Sequence, residues 1–183
     1  MRLDRTFQFR GGRNYLHSTS VMNDLLAMRG AAVTNIDFKF HRRTSQQITY
    51  TDEPQLAGSP VAEWSDTLGR LFLVEREELI SERTPYDEEK LVDFSNVAGR
   101  LISVPAYTPG FTRTDAIVAA FKYLLRTAHA DFDRKYAFVR IRLQYCPIGA
   151  FEIRYVRDIG AFFQGDISQD GNGIGQIFFG VWQ

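Results

Sequence analysis

Cysteine is almost absent from this chain: its 183 residues include one, Cys146. No disulfide can form within such a chain, which is typical of a reducing compartment. No apolar run reaches the about 18 residues that a membrane-spanning helix needs. The first residues, MRLDRTFQFRGGRNYL, lack the apolar segment of a secretory signal. We therefore expect a cytoplasmic protein with no membrane partner.

Motifs for metals and cofactors are also lacking. The three histidines and the single cysteine are widely separated and show no metal-ligand spacing. The glycine-rich phosphate-binding patterns and the nucleophile-elbow pattern do not occur. The sequence predicts no metal site and no cofactor.

Charge of one sign is not in excess, since 22 basic residues balance 22 acidic ones. Residues 1–50 hold 8 basic and 3 acidic residues, whereas residues 51–100 hold 5 basic and 12 acidic ones. Nucleic acid binding needs a basic face that replaces the counterions of phosphates, and the middle of the chain would repel phosphate. We expect no nucleic acid partner.

What the chain has is a repeated order of patterns. A helical pattern and three strand patterns occupy 21–26, 36–40, 47–53 and 68–74, and again 118–125, 139–143, 151–158 and 174–180. A candidate first strand, 6–9, matches 101–104 in the same way. Corresponding positions lie 99 residues apart for Leu25 and Leu124 and 106 apart for Leu68 and Ile174. Small loop insertions would produce such a slowly growing offset.

Periodicity assigns these segments to an α+β fold. Val139, Ile141 and Leu143 alternate with arginines, as in an antiparallel strand with one wet face, and Ile117, Phe121 and Leu124 share a helix face. The sequence predicts two β-α-β-β-β repeats that form a largely antiparallel sheet around two helices. Their boundaries are 1–80 and 98–183, with an acidic connector at 81–97. A single cone-shaped α+β barrel is the alternative.

This order of elements, over about residues 5–180, resembles a tandem, or double, hot-dog protein. The segment HRRTSQQITYTD (41–52) is similar to a basic stretch of the A-factor synthase group, a tandem variant. The resemblance implies action on acyl thioesters of coenzyme A or acyl carrier protein, as in thioesterases, dehydratases and acyltransferases. The chain lacks the His-Gly-Phe-Pro-Gly element of the dehydratases and the Asp and Gly-His pairing of many thioesterases.

Three residues are candidates for acid–base catalysis. His17 lies at the polar entrance of the first helix, and Asp24 follows seven residues later, so we predict a general base and its orienting group. Glu75 ends the apolar strand LFLVE, where burial would raise the pKa of its carboxyl group. The alternative is that Ser18, Thr19 or Ser20 caps the helix and that the charges are solvated.

The candidate substrate-binding residues are cations and one amide that would hold a phosphate or carboxylate: Arg10, Arg13, Asn23, Arg42, Arg43 and Arg76. An aromatic-rich concave sheet would provide a tunnel for an apolar tail, because aromatics make up 14% of the chain. His129 ends the second helix and is predicted to be structural.

Two functions remain open from the sequence. The first is an enzyme that acts by acid–base chemistry on an acyl thioester or a similar apolar-tailed small substrate. Its expected partners are this acyl substrate, acyl carrier protein and a second copy of the chain. The alternative is a non-catalytic small-molecule-binding or assembly module.

Overall fold

The computed structural model of the chain describes residues 1–30, 32–93 and 95–181. It divides into two compact units, the first ending at Asp87 and the second beginning at Glu88. The predicted connector therefore contributes residues 81–87 to unit 1 and residues 88–97 to unit 2.

Unit 1 is built on an antiparallel sheet and one long helix. Its elements are β1 (Arg2–Arg5), β2 (Phe9–Arg10), α1 (Ser18–Arg29), β3 (Ile36–Phe40), β4 (Gln46–Thr51), α2 (Pro54–Ala57), β5 (Ala62–Asp66), β6 (Gly69–Leu79) and β7 (Arg83–Thr84). The sheet order is β1-β4-β6-β5-β3, and each pair is antiparallel. The short strands β2 and β7 form a separate parallel pair.

Unit 2 has the same kind of architecture. Its elements are α3 (Glu89–Val92), β8 (Asn96–Ala98), β9 (Leu101–Val104), α4 (Arg113–His129), β10 (Tyr136–Leu143), β11 (Phe151–Ile159), β12 (Phe162–Gln169) and β13 (Asn172–Val181). Its sheet order is β8-β9-β11-β12-β13-β10, again antiparallel throughout.

Both units follow one plan: a strand, a long helix, and then four further antiparallel strands. This confirms the predicted α+β class and the double hot-dog-like architecture. After its long helix, each unit has one strand more than predicted, namely β5 and β12, and the short strands β2, β7 and β8 are also additional. The first strand of unit 1 also lies at Arg2–Arg5, earlier than the predicted 6–9.

The order of the last two strands differs between the units. In unit 2, β11, β12 and β13 pair consecutively as hairpins. In unit 1, residues 52–61 cross over, so that β4 and β5 both pair with β6. The predicted match of Leu68 with Ile174 is therefore wrong. Leu68 is 63% exposed in a turn, whereas Ile174 is 1% exposed.

Local chemistry explains where α4 begins and which face it buries. Thr112 and Asp115 form a reciprocal capping box that satisfies two backbone N–H groups at its start. Ile117, Phe121 and Leu124 are fully buried on the face that packs against β9, β10 and β11. Among the described residues, no helix is long and apolar enough to cross a membrane.

Candidate functional site

The start of α1 is built differently from that of α4. Its N-cap residue is His17, whose backbone is extended and whose side chain caps no backbone N–H group. Instead, the imidazole Nδ1 lies 2.7 Å from Thr19 Oγ1. His17 is 6% exposed and Thr19 is 1% exposed. The helix entrance therefore holds a buried imidazole in a side-chain hydrogen bond, and the simple capping alternative does not describe it.

Arginines and a tyrosine complete this arrangement. Arg10 Nη1 donates a 2.7 Å hydrogen bond to Thr19 Oγ1. The guanidinium carbons of Arg10 and Arg13 lie 3.8 and 5.4 Å from the centre of the Tyr86 ring. The His17 ring is 5.5 Å from the same ring. These five residues, which we call the His17 cluster, place cationic groups and an imidazole around one aromatic side chain.

The parallel pair β2·β7 holds the two parts of the cluster together. The Phe9 and Gly11 N–H groups each donate a 2.9 Å hydrogen bond, to the Glu82 and Thr84 carbonyl oxygens. Gly11 has a φ of +57°, and a Cβ there would lie 2.7 Å from the Tyr86 carbonyl oxygen. Glycine is required at this position by both its conformation and the close approach.

A cleft of about 500 Å³ opens beside the cluster. Its lining residues are Thr6, Phe7, Gln8, Arg10, Ser20, Asn23, Asp24, Glu82 and Thr84. The cleft thus brings together three of the predicted site residues, Arg10, Asn23 and Asp24. His17 is connected to the cleft through Thr19 and Arg10. The lining is mainly hydroxyl, amide and carboxylate groups. The cleft is therefore polar and is not the predicted aromatic tunnel.

Asp24 is fixed on the cleft wall by two donors. Arg5 Nε lies 2.7 Å from Asp24 Oδ2, and a second guanidinium nitrogen binds Oδ1. The Tyr50 hydroxyl donates to Oδ2 at 2.8 Å. Burial holds the pKa of Tyr50 well above its usual range, so it remains a donor. These contacts orient the Asp24 carboxylate toward Arg5 and Tyr50. The role of Asp24 in orienting the His17 imidazole stays a prediction.

Glu75 forms a separate ion pair. Its two carboxylate oxygens accept hydrogen bonds of 2.6 and 2.7 Å from Arg42. These bonds lower the pKa of the Glu75 carboxyl group, against the effect of its partial burial, and Thr44 adds a further hydrogen bond. The expected raised pKa is therefore wrong, because Arg42 reaches Glu75 from the turn between β3 and β4. Neither residue is among those lining the cleft.

This pair predicts an acid-sensitive contribution to stability. A carboxyl group whose pKa is lowered by folding stabilises the protein above its unfolded value of about 4.3, and the contribution is lost as the pH falls through the folded value. Arg42→Gln should move the pKa of Glu75 up toward that ordinary value, as measured by carboxyl-carbon NMR titration. Arg76→Gln, which removes the next basic residue on β6, is the matched control. An equal shift in both variants would contradict the pairing.

The other predicted cations make structural contacts. The Arg43 guanidinium carbon lies 4.3 Å from the centre of the Tyr15 ring. Arg76 lies 3.7 Å from Asp4 and also pairs with Glu78. Among the predicted binding residues, Arg10 and Asn23 line the cleft, and Arg13 lies beside it in the His17 cluster.

Sequence reasoning missed Tyr86, Glu82 and Gln8. Tyr86 and Glu82 belong to the acidic segment after β6, which the sequence predicts to be a connector. A parallel pair as short as β2·β7 has no alternation to detect, so nothing in the sequence joined them to residues 9–17. In the described part of the chain, no group of His, Cys, Asp and Glu side chains is arranged to hold a metal ion.

The fold and site together describe a double hot-dog-like chain with a polar cleft at the entrance of its first long helix. No protein-family model matches this chain, and no curated protein matches it in sequence. Solved structures are similar in fold. The dehydratase domain of RzxB from Pseudomonas fluorescens is 10% identical, with a TM-score of 0.48 over 100% of this chain and 94% of that one. The tesB protein of Mycobacterium avium subs paratuberculosis is 9% identical, with a TM-score of 0.48 over 100% and 93%. A pyran synthase domain from module nine of the sorangicin pathway is 10% identical, with a TM-score of 0.48 over 98% and 91%.

Proposed function

We propose that this chain is an enzyme that acts on an acyl thioester by acid–base chemistry, with its active site at the cleft beside the start of α1. The observation that carries the proposal is the buried His17, bonded to Thr19 and through it to Arg10 at the cleft. A neutral imidazole accepts a proton near pH 7 and returns it later in the reaction.

The hydrogen bond to Thr19 gives His17 a defined role. Thr19 Oγ1 has two lone pairs and accepts from Arg10 with one of them, and we propose that it accepts from His17 Nδ1–H with the other. In that arrangement Nε2 carries no proton and is the base. Thr19 is then a positioning residue, because it fixes the tautomer and the orientation of the ring.

The polar lining matches the carrier arm of a thioester better than its acyl chain. Coenzyme A and acyl carrier protein share a pantetheine arm, which contains two amides and ends in a phosphate. The side chains of Gln8 and Asn23 can exchange hydrogen bonds with such amides, and the Arg10 guanidinium suits the phosphate. We assign the cleft to the arm and leave the apolar tail outside it.

Partners and location follow from the same proposal. An acyl carrier protein would present the arm to this cleft, and we propose a cytoplasmic setting and association with a second copy of the chain. A non-catalytic binding module is the second candidate. It is favoured by the contacts of Arg10 and Asp24 within the chain, which leave a polar cleft able to bind without chemistry.

The test is a turnover assay on coenzyme A thioesters of several chain lengths. The assay measures thiol release and the hydration of unsaturated acyl groups. We expect turnover that depends weakly on chain length. Turnover should fall strongly when the carrier is shortened to N-acetylcysteamine, which lacks most of the arm. Saturable binding of coenzyme A thioesters with no turnover would favour the binding module. The absence of both binding and turnover would overturn both candidates.

A further inference from the structure

Unit 2 contains a second histidine cluster, away from the cleft of unit 1 in sequence and built on other elements. His129, the last residue of α4, lies with its Nε2 3.2 Å from the Tyr155 hydroxyl. Its ring centre is 5.3 Å from that of Phe163, 5.5 Å from Tyr155 and 6.3 Å from Tyr136. These three aromatic side chains are at most 5% exposed. The predicted structural role at a helix end does not require such surroundings.

Hydrogen bonding fixes the tautomer of His129. Tyr155 donates its hydroxyl hydrogen to the Asp158 carboxylate. Burial is the main cause, and the contact with Asp158 the second, of a rise in the pKa of Tyr155 to about 12. The hydroxyl hydrogen therefore stays in place. The Tyr155 oxygen must then accept from His129 Nε2–H. Neutral His129 therefore has a bare Nδ1, which is without a hydrogen-bond partner among the residues that the structure describes.

Two arginines flank this ring. The Arg100 guanidinium carbon lies 4.1 Å from the centre of the Tyr155 ring. That of Arg134 lies 5.3 Å from the centre of Phe163 and 5.6 Å from that of Tyr136. Over the described ranges, neither guanidinium lies within ion-pair distance of a carboxylate. A guanidinium stacked on a ring keeps N–H donors at its edge.

The Tyr136 hydroxyl is the fourth polar group of the cluster. It is buried and has no hydrogen-bond partner of normal geometry in the part of the chain described. Burial raises the pKa of this hydroxyl, while Arg134 opposes the increase through its charge and through N–H groups near the hydroxyl. It therefore remains a neutral donor beneath Arg134. Buried polar groups are normally satisfied, so an unsatisfied one requires an explanation.

We propose that Arg100, Arg134 and His129 form a binding site for a tetrahedral oxyanion, either free phosphate or the phosphate group of a small molecule. Both guanidinium groups then turn N–H donors toward the anion. Once Arg134 leaves the face of Tyr136, the hydroxyl beneath it gains a partner. This site is independent of the function proposed for the unit 1 cleft.

The charges around the site make binding depend on pH. Arg100 and Arg134 are balanced by Asp158, which bonds Tyr155, and by Asp131, whose carboxylate accepts from the Arg134 backbone N–H. The end of α4 also favours a cation. Protonation of His129 places a hydrogen on Nδ1, and this adds both a donor and the net positive charge that an oxyanion needs. Because an imidazole gains a proton as the pH falls, binding should strengthen toward acid pH.

The test is a titration of the whole chain with sulfate, whose charge stays constant between about pH 6 and pH 8. Binding is measured by calorimetry and by imidazole NMR. We expect saturable binding about tenfold tighter at pH 6 than at pH 8, with the His129 resonances shifting. Arg100→Gln and Arg134→Gln should each weaken binding about tenfold. Arg154→Gln, which removes an exposed arginine from β11, is the control of equal charge change.

Each outcome decides for or against the site. Equal weakening in Arg154→Gln, or binding without pH dependence, would show nonspecific charge attraction and overturn the proposal, as would the absence of saturable binding. If Arg134→Gln fails to fold, Arg100→Gln decides, because Arg100 is exposed in the turn between β8 and β9. Tighter binding of glycerol phosphate than of sulfate would identify a phosphorylated small molecule as the ligand. Equal binding would identify the free oxyanion.

Discussion

Phe121→Ala should lower the free energy of unfolding by about 3–5 kcal/mol. Phe121 is completely buried on α4, and its ring centre lies 5.4 Å from that of Phe179. Alanine would remove the buried ring and leave a cavity that the surrounding sheet cannot close. Urea denaturation measures the effect. Thr127→Ala, at an exposed position of the same helix, should change stability by no more than about 0.5 kcal/mol.

The contact of Phe121 with Gly165 provides a second measurement. A Cβ at Gly165 would lie 2.5 Å from Phe121 Cε2, so Gly165→Ala should destabilise by about 1–3 kcal/mol through overpacking. The same substitution should be less destabilising in a Phe121→Leu background, because the ring edge is gone. Additive effects, or a loss below about 1 kcal/mol in Phe121→Ala, would mean that this helix face is not packed against β12.

The elements that the sequence predicts well are those whose stability comes from one buried face. The α4 stripe and the alternation of β10 and β11 are examples, since burial there follows the period of each element. Strand β1, with the sequence RLDR, has no such face. It is held by pairing with β4, where Leu3 lies opposite Tyr50. Its position therefore depends on a partner almost fifty residues away.

No strand is predicted at β12, because the sequence there is rich in residues that are typical of turns. The segment from Asp166 to Gly175 has the composition of a loop. Only Asp170 and Gly171 turn, with φ values of 52° and 76°, and the strand continues to Gln169. Gly165 is glycine because Phe121 fills the space above it, which is a packing requirement and not a turn signal.

The candidate site was predictable where its residues are close in sequence. The polar entrance of α1 marked His17 and Arg10, because so many polar groups crowd one helix start. Tyr86 and the bond from Arg42 to Glu75 were not predictable, since each depends on chain segments joined only by the folded sheet. A single carboxylate after an apolar strand does not reveal whether a guanidinium will reach it, and that contact decided the direction of the pKa shift.

His17→Ala should lower thioester turnover by roughly 10²–10⁴-fold, the usual contribution of a general base. Because His17 is 6% exposed and bonded to Thr19, some loss of stability should accompany the change, and turnover is therefore compared at a temperature where each variant is folded. His41→Ala is the control, since His41 is a partly exposed histidine that bonds Glu63 at 3.1 Å. It should leave turnover unchanged.

Thr19→Val separates positioning from simple structural support. Valine keeps the shape of threonine but removes Oγ1, so the imidazole loses the hydrogen-bond partner of its Nδ1. We expect kcat to fall by about tenfold with little change in KM, and the acid limb of the pH–rate profile to move, because the base is no longer held in one tautomer. Turnover that is unchanged in His17→Ala would exclude His17 as the base. Turnover lost equally in Thr19→Val and His41→Ala would place the effect on folding, and the binding module would then be the better description of the cleft.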